Sequence, residues 1–565
     1  MKKIKKLIYA VLAPFVLMAQ SERYAVTINE ILADPSPIVG LPNTEFIELR
    51  NNSKQPVNLY KWKIDNGSTS STISTQFMLG PDSMVVLCAK AQAVFFGAQI
   101  STIGLSSFPT LSNDGDLITL SSADGKTMHA VEYEKKWYNN TIKSEGGWSL
   151  EMIDPYRPCD KNNWTGSIHF SGGTPGKENS VLKKGGTTEK IEAMQCIALD
   201  QHRILLHLNQ GADSISLTNI KNYAIGNEKN IPEKARVIPP LFNKAELYLK
   251  NQLLPNTIYE LTASSIMHCN SKISDSVKIN TGLVKMADEK DLAINEILFD
   301  PPTYGSDYIE IYNKSLSVIN AKEIYLSNKN ESGTIGSAYP CSLIDFNIFP
   351  GDCFTVTTDT SFLLKNWPKT KRSKLTEMKA LPSFPDDNGH VLLMNKQGKI
   401  IDEFKYTDDC HFPLLREKSG VALEKTNPNI PSNNLSNWHS ASATSGYGTP
   451  THVNSQFIKN DSSDVSVTIT PENISPNNDG ISDILSIQYQ FQKPENLMSI
   501  YAFDYNGSLV KKIVDNGLCG TQGFYFWDGL DGKNMKVRPG LYIILVETID
   551  LNGGRIRVKK VVAVL

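Results

Sequence analysis

Three clusters of side chains in this 565-residue chain have types and spacings suited to chemistry. Glu30, Glu45 and Glu48, with Glu296, Asp307 and Glu310 in a later stretch, offer paired carboxylates of the kind that act as general acid and base at a glycosidic bond. On an extended strand, however, Glu45 and Glu48 point to opposite faces, because side chains alternate with period two. Recurrence of the set in two places also favours a role in the fold, as ion pairs or turn hydrogen bonds, over catalysis. Asn477, Asn478, Asp479 and Asp483 surround Gly480 with oxygen atoms, the donors that hard cations such as calcium take. That loop lacks EF-hand spacing and a terminal bidentate Glu, so a solvated turn capped by its own Asx side chains is the alternative. Lys369, Lys371, Arg372 and Lys374 beside Trp367 form the one dense basic patch. Such a patch meets phosphate, anionic polysaccharide or nucleic acid, or else is an ordinary solvated loop.

The nine histidines are scattered, and His202 and His207 would face opposite ways on a strand, which argues against a shared metal. His-Glu-x-x-His, Gly-x-Ser-x-Gly, P-loop and dinucleotide-binding fingerprints do not occur. No nucleophile has a visible partner, and the chain does not read as an enzyme. No cofactor is implied beyond a candidate calcium ion at the 477–483 loop.

The elements that position these groups repeat. Ile28-Asn29-Glu30-Ile31-Leu32 with Asp34-Pro35 returns as Ile294-Asn295-Glu296-Ile297-Leu298 with Asp300-Pro301. Glu45-Phe46-Ile47-Glu48-Leu49 with Asn51 returns as Asp307-Tyr308-Ile309-Glu310-Ile311 with Asn313. Asn113-Asp114-Gly115 is echoed by Asp387-Asn388-Gly389, Ser149-Leu150-Glu151 by Ala422-Leu423-Glu424, Asn163-Trp164 by Asn437-Trp438, and Gly173-Thr174-Pro175 by Gly448-Thr449-Pro450. Two domains of one type therefore flank something else. Short runs alternating apolar and polar residues, separated by Gly, Asn, Asp and Pro turn signals, predict half-buried strands and an all-β sandwich class.

An Asn-Glu-Ile strand, an Asp-Pro turn, the strand around Glu48, an Asn-Asp-Gly hairpin and a terminal Trp followed by Gly-Thr-Pro together resemble the lamin tail domain in its bacterial, secreted versions. The resemblance spans about 20–180 and 288–456 and implies an immunoglobulin-like sandwich. In the second copy Asp307 replaces the first Glu and the middle has diverged, so the implied fold carries over more safely than any binding surface. Between the copies, Ile204–Leu208, Glu246–Leu249 and Tyr259–Ala263 read as strands, and the tract 254–261 is similar to the last hairpin of Ig-like modules in bacterial surface-layer proteins. Toward the end, Ile474-Ser475-Pro476-Asn477-Asn478-Asp479-Gly480, Phe526-Trp527-Asp528-Gly529 and Arg538-Pro539-Gly540-Leu541-Tyr542 resemble the C-terminal Ig-like modules of gliding-motility-associated and flagellar hook-capping proteins. That resemblance implies a type IX secretion signal.

The length calls for ~3–5 domains. A composition of 40% apolar and 21% charged residues is that of folded globular material. A net charge of −2 gives no bulk attraction for polyanions, which disfavours nucleic acid as partner. Lys2, Lys3, Lys5 and Lys6 precede an apolar run from Leu7 to Met18 and a small residue at Ala19, the layout of a cleaved signal peptide. No later segment sustains ~18 apolar residues, so no transmembrane segment is expected in the mature chain. Eight cysteines are too few for a disulfide scaffold; Cys196 and Cys269, in opposite halves of one predicted sandwich, are the expected bridge.

The expected plan is all-β, with four tandem Ig-like sandwich domains after a signal peptide: signal peptide 1–19, lamin-tail domains 20–182 and 288–456, an Ig-like domain 186–285 and a C-terminal Ig-like domain 466–565. The expected function is that of a non-catalytic secreted or cell-surface binding or scaffold protein. Its expected partners are the secretion machinery, through the C-terminal domain, and a protein or glycan. The competing readings are an accessory part of an extracellular nuclease- or phosphatase-type hydrolase, and an adhesion or gliding-motility component. The four β modules leave no stretch long enough for a catalytic domain.

Overall fold

The computed structural model describes residues 22–186, 189–226, 230–458 and 465–565; the expected signal peptide lies outside them. The chain divides into two compact units, one built mainly from the residues before Lys250, the other from Asn280 onward.

In the first unit, a six-stranded sheet runs in the order Trp164–Gly166, Leu150–Met152, Val26–Leu32, Phe46–Asn51, Met84–Ala89, Thr102–Leu105. A four-stranded sheet runs Thr127–Glu134, Gly115–Ser121, Lys63–Asp65, Ser70–Thr72. Ile28, Ile47, Leu49, Val85 and Leu87 of the first pack with Ile64, Ile118, Leu120 and Val131 of the second into one core. Burial of these β-branched and aliphatic side chains from both sheets is what holds a sandwich together.

The second unit repeats this plan. Its six-stranded sheet runs Leu375–Glu377, Cys353–Thr357, Tyr308–Asn313, Leu292–Leu298, Leu423–Lys425, Trp438–Ser440, and its four-stranded sheet Tyr339–Pro340, Ile324–Asn328, Asn388–Asn395, Ile400–Thr407. Even the irregularities match: the first strand of each copy carries a register shift immediately before its Glu, between Ile28 and Glu30 and between Ile294 and Glu296. A bulge at that point re-aims the following side chain.

One expectation changes. Alternating patterns predicted strands with a solvent face, yet every residue of Val26–Leu32 and of Leu292–Leu298 is buried, Thr27, Asn29 and Glu30 included. A second layer covers the outer face. Leu32, Phe46, Val86, Cys88 and Phe96 form a small cluster there in the first copy, and Leu298, Tyr308, Leu363, Trp367 and Leu375 one in the second.

In the spacer region Arg203–Leu208 and Lys234–Ile238 flank Lys244–Tyr248, and Tyr223–Ile225 pairs with Tyr259–Ala263. The expected Cys196–Cys269 bridge is not formed. Cys269 is joined to Cys159 instead, across 110 residues of sequence with Cα atoms 6.1 Å apart. Cys196 is buried in Ala193–Asp200 and is not part of a disulfide, whereas Cys159 and Cys269 both sit in loops that meet, which strand patterning does not reveal. The C-terminal module is another sandwich: a three-stranded sheet of Ser466–Thr470, Leu485–Gln490 and Gln522–Trp527, and a five-stranded sheet ordered Asn473–Ile474, Arg555–Val564, Gly540–Ile549, Asn496–Asp504, Leu509–Cys519.

Candidate functional site

The carboxylates singled out in the sequence are brought together, but in a different grouping. Register places Glu30 opposite both Glu48 and Glu151, on the two strands flanking its own. All three side chains are fully buried. Glu45 stands apart from them, half-buried, its Oε2 accepting the Leu111 amide at 3.2 Å.

Most of their partners come from the segment after the last strand, with Asn29 added from the first strand and Ser149 from just before Leu150–Met152. Glu30 Oε1 accepts the Ser149 hydroxyl at 2.6 Å and the Thr174 amide at 2.8 Å. Glu48 accepts the Asn29 side-chain amide at 2.8 Å and the Gly176 amide at 2.5 Å. Glu151 accepts the Thr174 hydroxyl at 2.9 Å, the Ser180 hydroxyl at 2.8 Å and the Val181 amide at 3.2 Å. The Gly-Thr-Pro motif is thus a latch that lies across three strands and donates to the carboxylates between them. Its glycine is needed for close approach: a Cβ on Gly173 would lie 2.6 Å from Glu30 Oε1.

The second copy rebuilds the node. Glu296 faces Glu310 and Glu424 in the same register. Glu296 Oε1 accepts the Tyr308 hydroxyl at 2.6 Å and the Thr449 amide at 2.8 Å. Glu310 accepts the Asn295 side-chain amide at 2.9 Å and the Thr451 amide at 2.6 Å. Glu424 accepts the Thr449 hydroxyl at 2.7 Å, the Ser455 hydroxyl at 2.8 Å and the Gln456 amide at 3.0 Å. A matching asparagine pair closes each latch: Asn29 Nδ2 donates to Asn179 Oδ1 at 2.8 Å, and Asn295 Nδ2 to Asn454 Oδ1 at 2.8 Å.

Burial dominates the protonation of these groups. It holds Glu30 and Glu296 well above the usual carboxylate range, and the neighbouring carboxylates add to the effect. It lifts Glu48 and Glu310 to about 7, although the amides donating to them favour the charged form. The arrangement suits holding a chain segment in place. Among the described residues, Glu30 Oε2 is buried and accepts no hydrogen bond, the other oxygens of the node accept from the chain's own donors, and no group of three or more His, Cys, Asp or Glu is placed to hold a metal.

Sequence reasoning missed Glu151 and Glu424 as members of the node, although both recur in the repeat. It also missed the threonines of Gly-Thr-Pro. The available signal was the return of Glu and Thr at matching positions late in both copies.

The 477–483 loop is closed on one side chain. Asp483 Oδ1 accepts the Asn477 and Asn478 amides at 2.9 and 2.7 Å, and Oδ2 the Gly480 amide at 2.7 Å. These donors hold the Asp483 carboxyl below its ordinary range. Asn477 also donates to Asp479 Oδ2 at 2.9 Å.

The basic segment separates into two layers. Lys369, Lys371 and Arg372 are exposed, while Lys374 is ion-paired with Asp352 at 2.5 Å. Trp367 is not on that surface. Its ring is buried edge-on to Tyr308 and Phe362, at 5.6 and 5.9 Å between centroids, and its Nε1 donates to Gly446 O at 3.2 Å. It follows the helix Thr360–Asn366, capped by Asp359, which carries it into the outer-layer core. His202 and His207 share no site: His202 is exposed in a turn, and His207 lies 3.2 Å from the Asn243 side-chain amide.

No curated protein matches the sequence. Among solved structures, the N-terminal part of the bacterial S-layer protein SbsC aligns at 13% identity and a TM-score of 0.16, over 39% of this chain and 44% of that one. A DUF4876 family protein from Bacteroides thetaiotaomicron aligns at 10% identity and 0.17, over 39% and 78%. A Ca2+-stabilised, ice-binding adhesin of an Antarctic bacterium aligns at 8% identity and 0.11, over 97% and 100%. The alignment thus spans less than half of the first of these structures. Sequence comparison matches the Lamin Tail Domain family model to residues 19–135 and 285–408, that is, to the body of each six-plus-four-stranded sandwich, leaving the strands Leu150–Met152 and Leu423–Lys425 and both latches beyond the matched residues.

Proposed function

We propose that this is a secreted or surface-attached binding or scaffold protein without catalysis of its own, whose two lamin-tail-like sandwiches (20–182 and 288–456) and Ig-like spacer (186–285) present loops to a protein or glycan. Segment 1–19 directs the first export step, and the module 466–565 directs the second through a type IX-like pathway. The observation that carries the reading is the Cys159–Cys269 disulfide, because such a bridge forms and persists in an oxidising compartment. Two features accord with it. Each copy commits its buried carboxylates to its own latch, which makes a rigid frame for variable loops. No helix of the described residues is long and apolar enough to cross a membrane.

The test is fractionation of cells making the full chain or a chain lacking 466–565. Periplasmic retention of the truncated form supports the export role of that module, and unchanged surface delivery overturns it.

A further inference from the structure

The three-stranded sheet of the C-terminal module has two unlike faces. Ile469, Leu485, Ile487, Tyr489 and Trp527 point into the core. The alternate positions form the outer face. Register arranges them in rows across the strands: Ser466, Gln490 and Gln522; Thr468, Gln488 and Phe524; Thr470, Ser486 and Phe526. None of the nine is charged. The solvated face of an antiparallel sheet usually carries charges, as the other sheet of the same module does. There Arg555, Arg557, Lys559 and Glu547 lie outside, with Arg557 Nε 2.9 Å from Glu547.

Phe524 and Phe526 are 50% and 49% exposed, with ring centroids 5.0 Å apart. A shallow, half-open depression of about 460 Å³ lies over the first two rows, beside Phe524. The face therefore offers two neighbouring rings tilted 48° to each other, next to three glutamine amides and a set of hydroxyls, at a shallow depression.

We propose that this face binds a neutral polysaccharide. A pyranose has an apolar C–H face that packs on an aromatic ring, and a rim of vicinal hydroxyls. The oxygen and nitrogen of one glutamine amide meet two neighbouring hydroxyls as acceptor and donor. Gln488, Gln490 and Gln522 supply such amides beside the Phe524 ring. A charged glycan would leave its carboxylates or sulfates desolvated without a counter-charge, which is costly. A protein partner would be expected to engage a contiguous apolar patch. Here the two rings sit at the end of two rows, beside seven polar side chains.

This inference rests on the extracellular placement proposed above only for access to a glycan. The binding measurement uses purified full chain, so its failure and the failure of the export reading are distinguishable. Native affinity electrophoresis is run in gels containing laminarin, xylan or mannan as separate arms, at low and high salt. The expected result is retardation by at least one of them, insensitive to salt, and weakened about tenfold by Phe524→Ala, the loss expected for removing one stacked ring. Gln488→Ala, at an exposed position, is the second variant and weakens binding with an unchanged thermal unfolding midpoint. The proposal is overturned by no retardation in any of the three gels, by retardation that high salt abolishes, or by retardation of both variants as strong as that of the unaltered chain. It is also overturned if Phe524→Ala changes only the sedimenting mass of the chain, which would make the face a contact between copies.

Discussion

Glu30 stands directly opposite Glu48 in the antiparallel register of Val26–Leu32 and Phe46–Asn51, and both side chains are fully buried. Like charges facing one another across a ladder repel, and burial removes the water that would screen them. The pair is tenable because the node holds protons at a pH where an exposed carboxylate would have lost them. Glu296 and Glu310 repeat the relationship.

The first prediction concerns pH. Glu48 and Glu310 titrate at about 7 in the folded chain against an ordinary value of 4.5. Below 4.5 both states hold the proton and the stabilisation is present in full. Between 4.5 and about 7 the unfolded chain loses the proton while the folded chain keeps it, so stability falls as pH rises through the folded value. Urea midpoints measured from about pH 5 to about pH 8 should decline. Glu30→Gln keeps an acceptor for Ser149 and Thr174 without the charge, and should flatten that decline. A midpoint that rises with pH would contradict the protonated node.

Thr449 bridges the latch to Glu424 through its hydroxyl at 2.7 Å. Thr449→Val preserves shape and removes that donor, leaving a buried acceptor unpaired at a cost of about 1–3 kcal/mol. Chemical unfolding of the variant should show this loss, and Thr174→Val should behave alike in the first copy.

The disulfide gives a mass readout. Of eight cysteines, alkylation after denaturation without reductant should label the six outside the Cys159–Cys269 bridge, and all eight after reduction. Cys159→Ser should lower stability by about 2–4 kcal/mol, while a pairing that involves Cys196 would show itself in the peptide map.

Trp367 and the cations next to it should respond differently. Trp367→Ala empties a packed site between Tyr308 and Phe362 and should cost about 3–5 kcal/mol. Combined alanine replacement of the exposed Lys369, Lys371 and Arg372 should leave the melting temperature almost unchanged.

At the 477–483 loop, three backbone amides point at the Asp483 carboxylate, where a cation would need oxygen atoms. The thermal midpoint in calcium and in chelator should therefore coincide. A rise in calcium would assign the loop to a metal after all.

Much of the architecture was legible in the sequence because it rests on local rules. Six ordered motifs announced two copies of one domain, short alternating runs announced strands, and Ala123-Asp124-Gly125 announced the hairpin between Gly115–Ser121 and Thr127–Glu134. Asn113-Asp114-Gly115, expected as a hairpin, instead leads from the other sheet into the strand Gly115–Ser121. The features that held depend on the pleat and on turn stereochemistry, which neighbouring residues set. The sequence by itself also placed the two glutamates of each copy on strands, and Gly-Thr-Pro after the last of them. Only the tertiary structure decided that Glu30, Glu48 and Glu151 meet, that the latch covers them, that Trp367 turns inward, and that Cys269 pairs with Cys159 rather than with Cys196. Each of those outcomes joins residues far apart in the chain. Strand order and the covering of an outer face are set by the whole sandwich closing on its core, and a pattern of period two cannot say which polar face will be left to water.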